Sequence, residues 1–366
     1  MPALTPMIQR DFFEELFVLE MANNHWGKVE RGLEIVADFS KIVRFNNIRA
    51  TIKLQFRDVD NFIHRDFRKR DDIRYIKKTI DTQMSKESFA TLVQAIRKSG
   101  CIPSATPFDE ASVDLCEELE IPLIKLASSD INDWFLIEKI AKTGKPVIAS
   151  SGGSSVKDTD DLVTYFANRN IPLALNHCVS LYPSEDRDLQ LNQIDYLRGR
   201  YPHNTIGFST HEYHDWETSL AIAYAKGART FERHIDIEGE GIKVSPYCSL
   251  PHQADTWFKA YRRVKAMCGH PGTVKRTPSA EEVAYLDGLV RGVYAKRYLK
   301  RGHPISDEDL YLSIPLQKGQ ASCREIMRGQ ELLSDVAKDA PLRIDQIDSP
   351  YAYDEELKAG ILQRGI

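Results

Sequence analysis

Three observations predict an α/β chain, a (β/α)8 TIM barrel followed by a small α+β module. Short apolar segments alternate with amphipathic ones from Phe17 onward. Eight such segments occur before Asp236, and polar side chains recur at the C-terminal end of nearly every one. Alternating βα units imply a parallel sheet covered by helices, and eight units of this length fit a barrel of about 250 residues. An open doubly wound sheet would place a Gly-rich phosphate loop after the first strand, and Ala22-Asn23-Asn24-His25 is not one.

The elements follow in order. Residues 17–22 form a short apolar strand carrying Glu20 and run into the polar turn Asn23 to Gly27. Leu33, Val36, Ala37, Ile42 and Val43 then recur at helical spacing over 29–43. Residues 48–55 are a strand with Lys53 and Gln55 on one face at its end. The polar excursion 56–85 fits either a pocket cover or a surface insertion. Its basic cluster, Arg65 to Lys78, has interleaved acids and reads as a solvated face.

From Lys86 the alternation is regular. Helix 87–99 precedes strand 102–108, which holds Thr106. Helix 111–119 precedes strand 123–129, which holds Lys125 and Ser128. Helix 134–142 precedes strand 147–151, which holds Ser150. Helix 159–168 precedes strand 173–178, followed by Ser180 and Tyr182. Helix 191–200 precedes strand 205–210, which holds Ser209 and leads into His211. Helix 217–226 precedes strand 230–235. Alternation in this last strand aims Glu232 and His234 one way and Arg233 the other. Residues 237–250 read as a loop and 254–268 as an amphipathic helix closing the barrel. The expected division is a barrel domain over 1–270, a linker over 271–289 and a C-terminal module over 290–366. That module carries a weak internal echo, Lys300 to Ile305 and Lys338 to Leu342, which suggests two short β-turn-helix pieces. So small a module commonly needs packing from elsewhere.

A net charge of −4 gives no global attraction to nucleic acid or membrane. The six cysteines are scattered without Cys-x-x-Cys spacing, and a chain of this size needs no disulfide framework, so a cytoplasmic location is expected. The start of the chain, with Arg10, Asp11, Glu14 and Glu15, does not read as a secretion signal, and no stretch reaches membrane-spanning length.

The strand ends gather Glu20, Lys53, Gln55, Thr106, Lys125, Ser128, Ser150, Tyr182, Ser209, His211, Glu232 and His234. Two lysines and several hydroxyls in one mouth suit a small polyanion such as a phosphorylated carboxylate. A lysine inside an apolar strand is costly unless it meets an anion or a carbonyl. The carbonyl case is a Schiff-base aldolase. Histidines on consecutive strand ends, His211 and His234, favour metal assistance instead.

At these residues the chain resembles the sialic acid synthase (N-acetylneuraminate synthase) family. The matching pieces are Glu20 to His25, Ile52 to Gln55, Thr106 to Phe108, Ile124 to Ser128, Ser150 to Gly152, Tyr182-Pro183, Ile206 to Ser209 with His211-Glu212, and Glu232 to His234. The C-terminal module resembles the family's antifreeze-like (SAF) domain. The resemblance implies a transferase that condenses phosphoenolpyruvate with an N-acylhexosamine of the N-acetylmannosamine type. Lys53, Thr106, Lys125, Ser128, Ser150 and Ser209 would hold phosphoenolpyruvate. His211 and His234 would hold a divalent metal, Mn²⁺ ahead of Mg²⁺ or Co²⁺. Glu20 and Gln55 would sit at the sugar, Asp130 would take a position where relatives carry Glu or Asp, and Tyr182 would line the pocket. Glu20, Glu232 and His234 are the candidates for catalysis. The partner implied is a second copy in a domain-swapped homodimer. Ser180 stands where relatives often carry Asn, Thr210 replaces an acidic or small residue, Ser245 to Cys248 lacks an Asp, and Ser313 to Gly319 lacks an Arg. All four departures would lie near substrate; the phosphoenolpyruvate half matches largely and the acceptor half does not, which leaves open a different or phosphorylated aldose.

Overall fold

The computed structural model describes residues 12–270 and 272–366. The reading against a secretion signal rests partly on residues 1–11, which lie outside them. The chain divides into two compact units at Gly269/His270.

Eight strands build the first unit: β1 (Leu16–Ala22), β2 (Ala50–Phe56), β3 (Ile102–Pro107), β4 (Leu123–Leu126), β5 (Val147–Ser150), β6 (Leu173–Cys178), β7 (Thr205–Thr210) and β8 (Thr230–Ile235). Each pairs in parallel with the next, and β1 pairs with β8, so the sheet closes into the expected barrel. A short β9 (Cys248–Ser249), in the stretch read as a loop, pairs with β8 at His234 and Ile235.

The period of two along each strand separates two environments. Phe17, Leu19, Ile52, Leu54, Phe208 and Phe231 face outward into the main core, against the helices. Leu16, Val18, Leu123, Ile148 and Ala174 face inward and, with Phe13, plug the lower end of the barrel. Above the plug the interior turns polar. Thr51 Oγ1 donates to Ser104 Oγ, and Thr230 Oγ1 donates to Asn176 Oδ1. Gly207 is required at this level, because a Cβ there would collide with Thr230 Oγ1 and Asn176 Oδ1. Polar side chains at the next level up therefore stand on a filled barrel, not over a pore.

Three local readings change. Strand β4 ends at Leu126, and Ser128–Asp130 is a 3-10 turn in which Ser128 Oγ accepts from Gly152 N. The excursion 56–85 contains two helices, Val59–Phe62 and Arg74–Asp81. The stretch expected as a linker contains the helix Ala280–Asp287, capped by Ser279.

The second unit combines a small antiparallel pairing with the helices Ala280–Asp287, Pro350–Tyr353 and Glu355–Gln363, an α+β module as expected. Strands β10 (Gly292–Ala295) and β11 (Leu310–Ser313) pair antiparallel. Val293, Leu299, Ile305, Leu332, Val336, Leu342 and Ile347 form its core. The two echo segments enter through single bridges, Pro304 with Glu331 and Tyr294 with Pro341. Neither is followed by an α-helix over the span expected; the second leads only into a 3-10 turn, Ile344–Gln346. Asp309 fixes the first: its Oδ2 accepts from Ser306 N, Ser306 Oγ and His303 Nε2, and its Oδ1 accepts from Arg297. No described helix is long and apolar enough to cross a membrane.

Candidate active site

A cavity of about 510 Å³ opens at the C-terminal ends of the barrel strands. In-register pairing decides which side chains meet there. Glu20 lies opposite Lys53 on one side and His234 on the other, and Ser209 lies opposite Glu232. The register then slips between Glu20 and Ala22, at the point where β1 leaves the barrel.

The base of the cavity is an ionic group that is almost wholly buried. Lys53 Nζ donates to Glu232 Oε1 at 2.7 Å and lies 2.5 Å from Glu20 Oε2, outside hydrogen-bond geometry. Lys125 Nζ donates to Ser150 Oγ at 2.6 Å and to Leu126 O at 3.1 Å, and lies 4.0 Å from Glu232 Oε2. That Glu232 oxygen has no hydrogen-bond partner. Burial pushes the Lys53 ammonium down to about 8 against the pull of Glu232. Burial raises Glu232, but Lys125 and Lys53 outweigh it and hold the carboxyl below its usual range. Gln55 Nε2 donates to Glu20 Oε1, and Arg57 Nη1 donates to Gln55 Oε1.

The two histidines stand together, ring centroids 5.4 Å apart. Burial drives both toward the neutral form, His211 to about 4 and His234 well below its usual value. His211 Nδ1 lies 3.0 Å from Val179 O. That contact fixes the proton on Nδ1 and presents the Nε2 lone pair. Tyr182 lies tilted against His211, ring centroids 3.9 Å apart, and Tyr247 meets His234 edge to face at 5.2 Å. Among the described residues no cluster of three or more His, Cys, Asp or Glu side chains is arranged to hold a metal. The two neutral imidazoles side by side nevertheless fit a divalent ion as two nitrogen donors, with oxygens of water or substrate as the remaining ligands.

Alternation in β8 holds. Glu232 and His234 line the cavity, while Arg233 turns away and donates to Glu212 Oε1 at 2.6 Å, to Glu212 O and to Ser249 Oγ. This buried bond set ties the ends of β7, β8 and β9 together. Arg31 does the same for the end of β8 through Asp236 Oδ1 at 2.7 Å.

Of the residues expected at the site, Glu20, Lys53, Gln55, Thr106, Lys125, Ser128, Ser150, Ser180, Tyr182, Ser209, His211, Glu232 and His234 all line this cavity. Asp130 does not. The 3-10 turn exposes Ser129 to the cavity instead, and burial raises the Asp130 carboxyl. Gly152 packs against Ser128 and Ser180, so any Cβ there would displace both hydroxyls.

The residues missed include Arg57, Arg74, Tyr75, Lys78 and Thr79, besides Ser129 and Tyr247. The basic cluster read as a solvated face is therefore split: its C-terminal part lies on the cavity. The overlooked signal is the i, i+4 spacing of Arg74 with Lys78 and of Tyr75 with Thr79, which puts all four on adjoining rows of one helix. Lys77 points elsewhere and pairs with Asp81. The cavity lining carries five cationic side chains and two carboxylates. That surplus of positive charge stands against a chain of net charge −4.

Residues 44–272 match the profile of the NeuB family, and residues 290–348 match that of the SAF domain. Among solved structures the chain is similar to a putative spore coat polysaccharide biosynthesis protein E from Chromobacterium violaceum. The identity is 35% and the TM-score 0.88, over 92% of this chain and 100% of that one. It is 27% identical to the human N-acetylneuraminate-9-phosphate synthase, over 73% of this chain and 74% of the relative. It is 24% identical to the N,N'-diacetyllegionaminic acid synthase of Campylobacter jejuni, over 88% of this chain and 95% of the relative.

Proposed function

The chain belongs to the NeuB family, and from that premise we propose that it is a phosphoenolpyruvate-dependent condensing synthase acting on an aldose of the N-acylhexosamine type. In this reaction C3 of phosphoenolpyruvate bonds to the aldehyde carbon, water adds at C2, and the C2–O bond to phosphate breaks. The products are a 3-deoxy-2-keto sugar acid and inorganic phosphate.

The observation that carries the reading is the buried pair Lys53 and Lys125 beneath two neutral imidazoles, in a cavity with surplus positive charge. Both lysines offer fixed cationic donors to a phosphate and a carboxylate, with the hydroxyls of Thr106, Ser128, Ser150 and Ser209 beside them. Their orientation is set before the ligand arrives, by Glu232, Ser150 and Leu126 O. His211 and His234 would hold a divalent ion, Mn²⁺ ahead of Mg²⁺ or Co²⁺, which when bound supplies Lewis-acid polarisation of the aldehyde oxygen. Glu232 is held ionised by its lysines and can accept a proton at its unpartnered Oε2; Glu20 is the second carboxylate within reach of Lys53. Tyr182 and Tyr247 cover the imidazoles and limit the entry of bulk water.

One observation favours a second reading: the depressed ammonium of Lys53 is what an imine-forming lysine needs. Its tie to two carboxylates favours a charge-holding role instead. The test combines the protein, phosphoenolpyruvate, Mn²⁺ and a panel of aldoses, read by phosphate release and product mass. Stoichiometric phosphate and an adduct of sugar plus pyruvate are expected. Inactivation by borohydride with pyruvate, without phosphate release, would replace the synthase by the aldolase.

A further inference from the structure

The charges in the cavity are not evenly spread. At its base Lys53 and Lys125 face Glu20 and Glu232, two against two. The whole surplus lies at the mouth, in Arg57, Arg74 and Lys78. Arg57 leaves the end of β2 with its guanidinium 3.6 Å over the Phe108 ring, and its buried Nε has no partner. Arg74 and Lys78 stand one turn apart on the helix Arg74–Asp81. None of the three has an ion-pair partner among the described residues, although Lys77 of the same helix pairs with Asp81.

The nearest carboxylates are already engaged or too far away. Asp109 accepts from Asp58 N and Ser112 N, and Asp236 is taken by Arg31. Asp130 pulls on Arg57 without forming an ion pair. Lys78 is half-buried and is pushed down by burial and, beyond that, by Arg74 and Arg57. Three like charges held against one another without a counterion are unfavourable until an anion joins them.

We infer that Arg57, Arg74 and Lys78 form an anion subsite at the mouth of the barrel, which receives an oxyanionic group on the acceptor aldose at the end remote from its aldehyde. The assignment rests on the synthase reading, in which phosphoenolpyruvate occupies the lysines at the base. The acceptor then enters from the mouth, with its aldehyde toward the histidines and its far end against the three cations. A phosphoryl group and a carboxylate share the required chemistry. Arg57, its guanidinium 3.6 Å over Phe108 and its Nη1 on Gln55 Oε1, offers its remaining N–H donors to the oxygens of either group.

The experiment uses the full chain with three probes: N-acetylmannosamine, its 6-phosphate, and the matching uronate. Binding is read by calorimetry in the presence of phosphoenolpyruvate, and turnover by phosphate release. An anionic sugar is expected to bind about 30-fold or more tightly than the neutral one, and the phosphate and uronate arms report which oxyanion is preferred. The double variant Arg74→Gln/Lys78→Gln changes one exposed and one half-buried side chain of a single helix, and its fold is checked by circular dichroism. It should erase most of that preference while phosphoenolpyruvate affinity moves by less than about threefold. Equal binding of neutral and anionic sugars would overturn the subsite. So would a variant that weakens phosphoenolpyruvate instead of the sugar. Absence of phosphate release with every sugar would sink the synthase reading alone, because calorimetric binding of the sugar phosphate still decides the subsite.

Discussion

Replacing Lys125 by methionine separates a lysine kept for ligand from one kept for stability. Methionine nearly matches the aliphatic stem and removes only the ammonium. That ammonium is 4% exposed with its residue, and two of its three N–H donors are used, on Ser150 Oγ and Leu126 O. The third donor remains for an anion in the cavity. A charge-assisted hydrogen bond to a buried anion contributes about 1.5–3 kcal/mol, so phosphoenolpyruvate affinity should fall by roughly 10- to 150-fold. Stability should move the other way or not at all. The buried charge disappears, and Glu232 is not orphaned because Lys53 still donates to it at 2.7 Å. Without Lys125, burial regains ground at Glu232 and its carboxyl moves upward. Calorimetric titration with phosphoenolpyruvate and a thermal melt measure the two effects on one sample. A folded variant whose affinity is unchanged would refute the assignment of Lys125 to the ligand, and a large loss of melting temperature would show that the lysine is structural.

Three further outcomes are expected. Stripping divalent metal with a chelator should abolish turnover and Mn²⁺ should restore it; full activity in a sample shown to be metal-free would remove the metal role of His211 and His234. Asp309→Asn should destabilise the second unit by about 1–3 kcal/mol, because the carboxylate serves His303, Ser306 and Arg297 at once. Those bonds hold the Asp309 carboxyl far below its usual range despite burial, so its contribution is complete above about pH 4 and fades as pH falls toward the folded value. Hydrogen exchange of that unit at neutral and low pH reads both, and a gap between wild type and variant that widens on acidification would contradict the sign. A chain truncated after Lys275 should fold as a barrel yet lose turnover, and mixing it with a full-length His234→Ala chain should recover some activity if the second unit serves a partner's site; a fully active truncated chain would exclude the unit from catalysis.

The barrel was legible because its signal is repetitive. Eight alternations of apolar strand and amphipathic helix carry more information than any single segment. The base of the site was legible for a related reason: Lys53, Lys125 and Glu232 are charged groups inside strands, where burial demands a purpose. Asp130 was expected at the site from the resemblance alone; pairing with β5 stops at Leu126 and the 3-10 turn that follows leaves Asp130 off the cavity lining. The mouth was the least legible. Arg74 and Lys78 sit in a basic stretch with interleaved acids, and only a helix sorts them by face. The linker helix Ala280–Asp287 and the bridged, nearly helix-free echo segments were hidden for the same cause, since short pieces carry little periodicity.

The hydrogen bonds from Arg57 through Gln55 to Glu20, and the contacts from Glu20 through Lys53 and Glu232 toward Lys125, cross the cavity from rim to floor without a gap wider than 4.0 Å. A guest at the rim that draws Arg57 away from Gln55 frees the amide that orients Glu20, and a guest on the floor that recruits Lys53 loosens the same carboxylate from the other side. Both guests therefore draw on one shared set of bonds. Thermodynamic linkage then makes their influence mutual: whatever factor the first imposes on the affinity of the second, the second returns to the first.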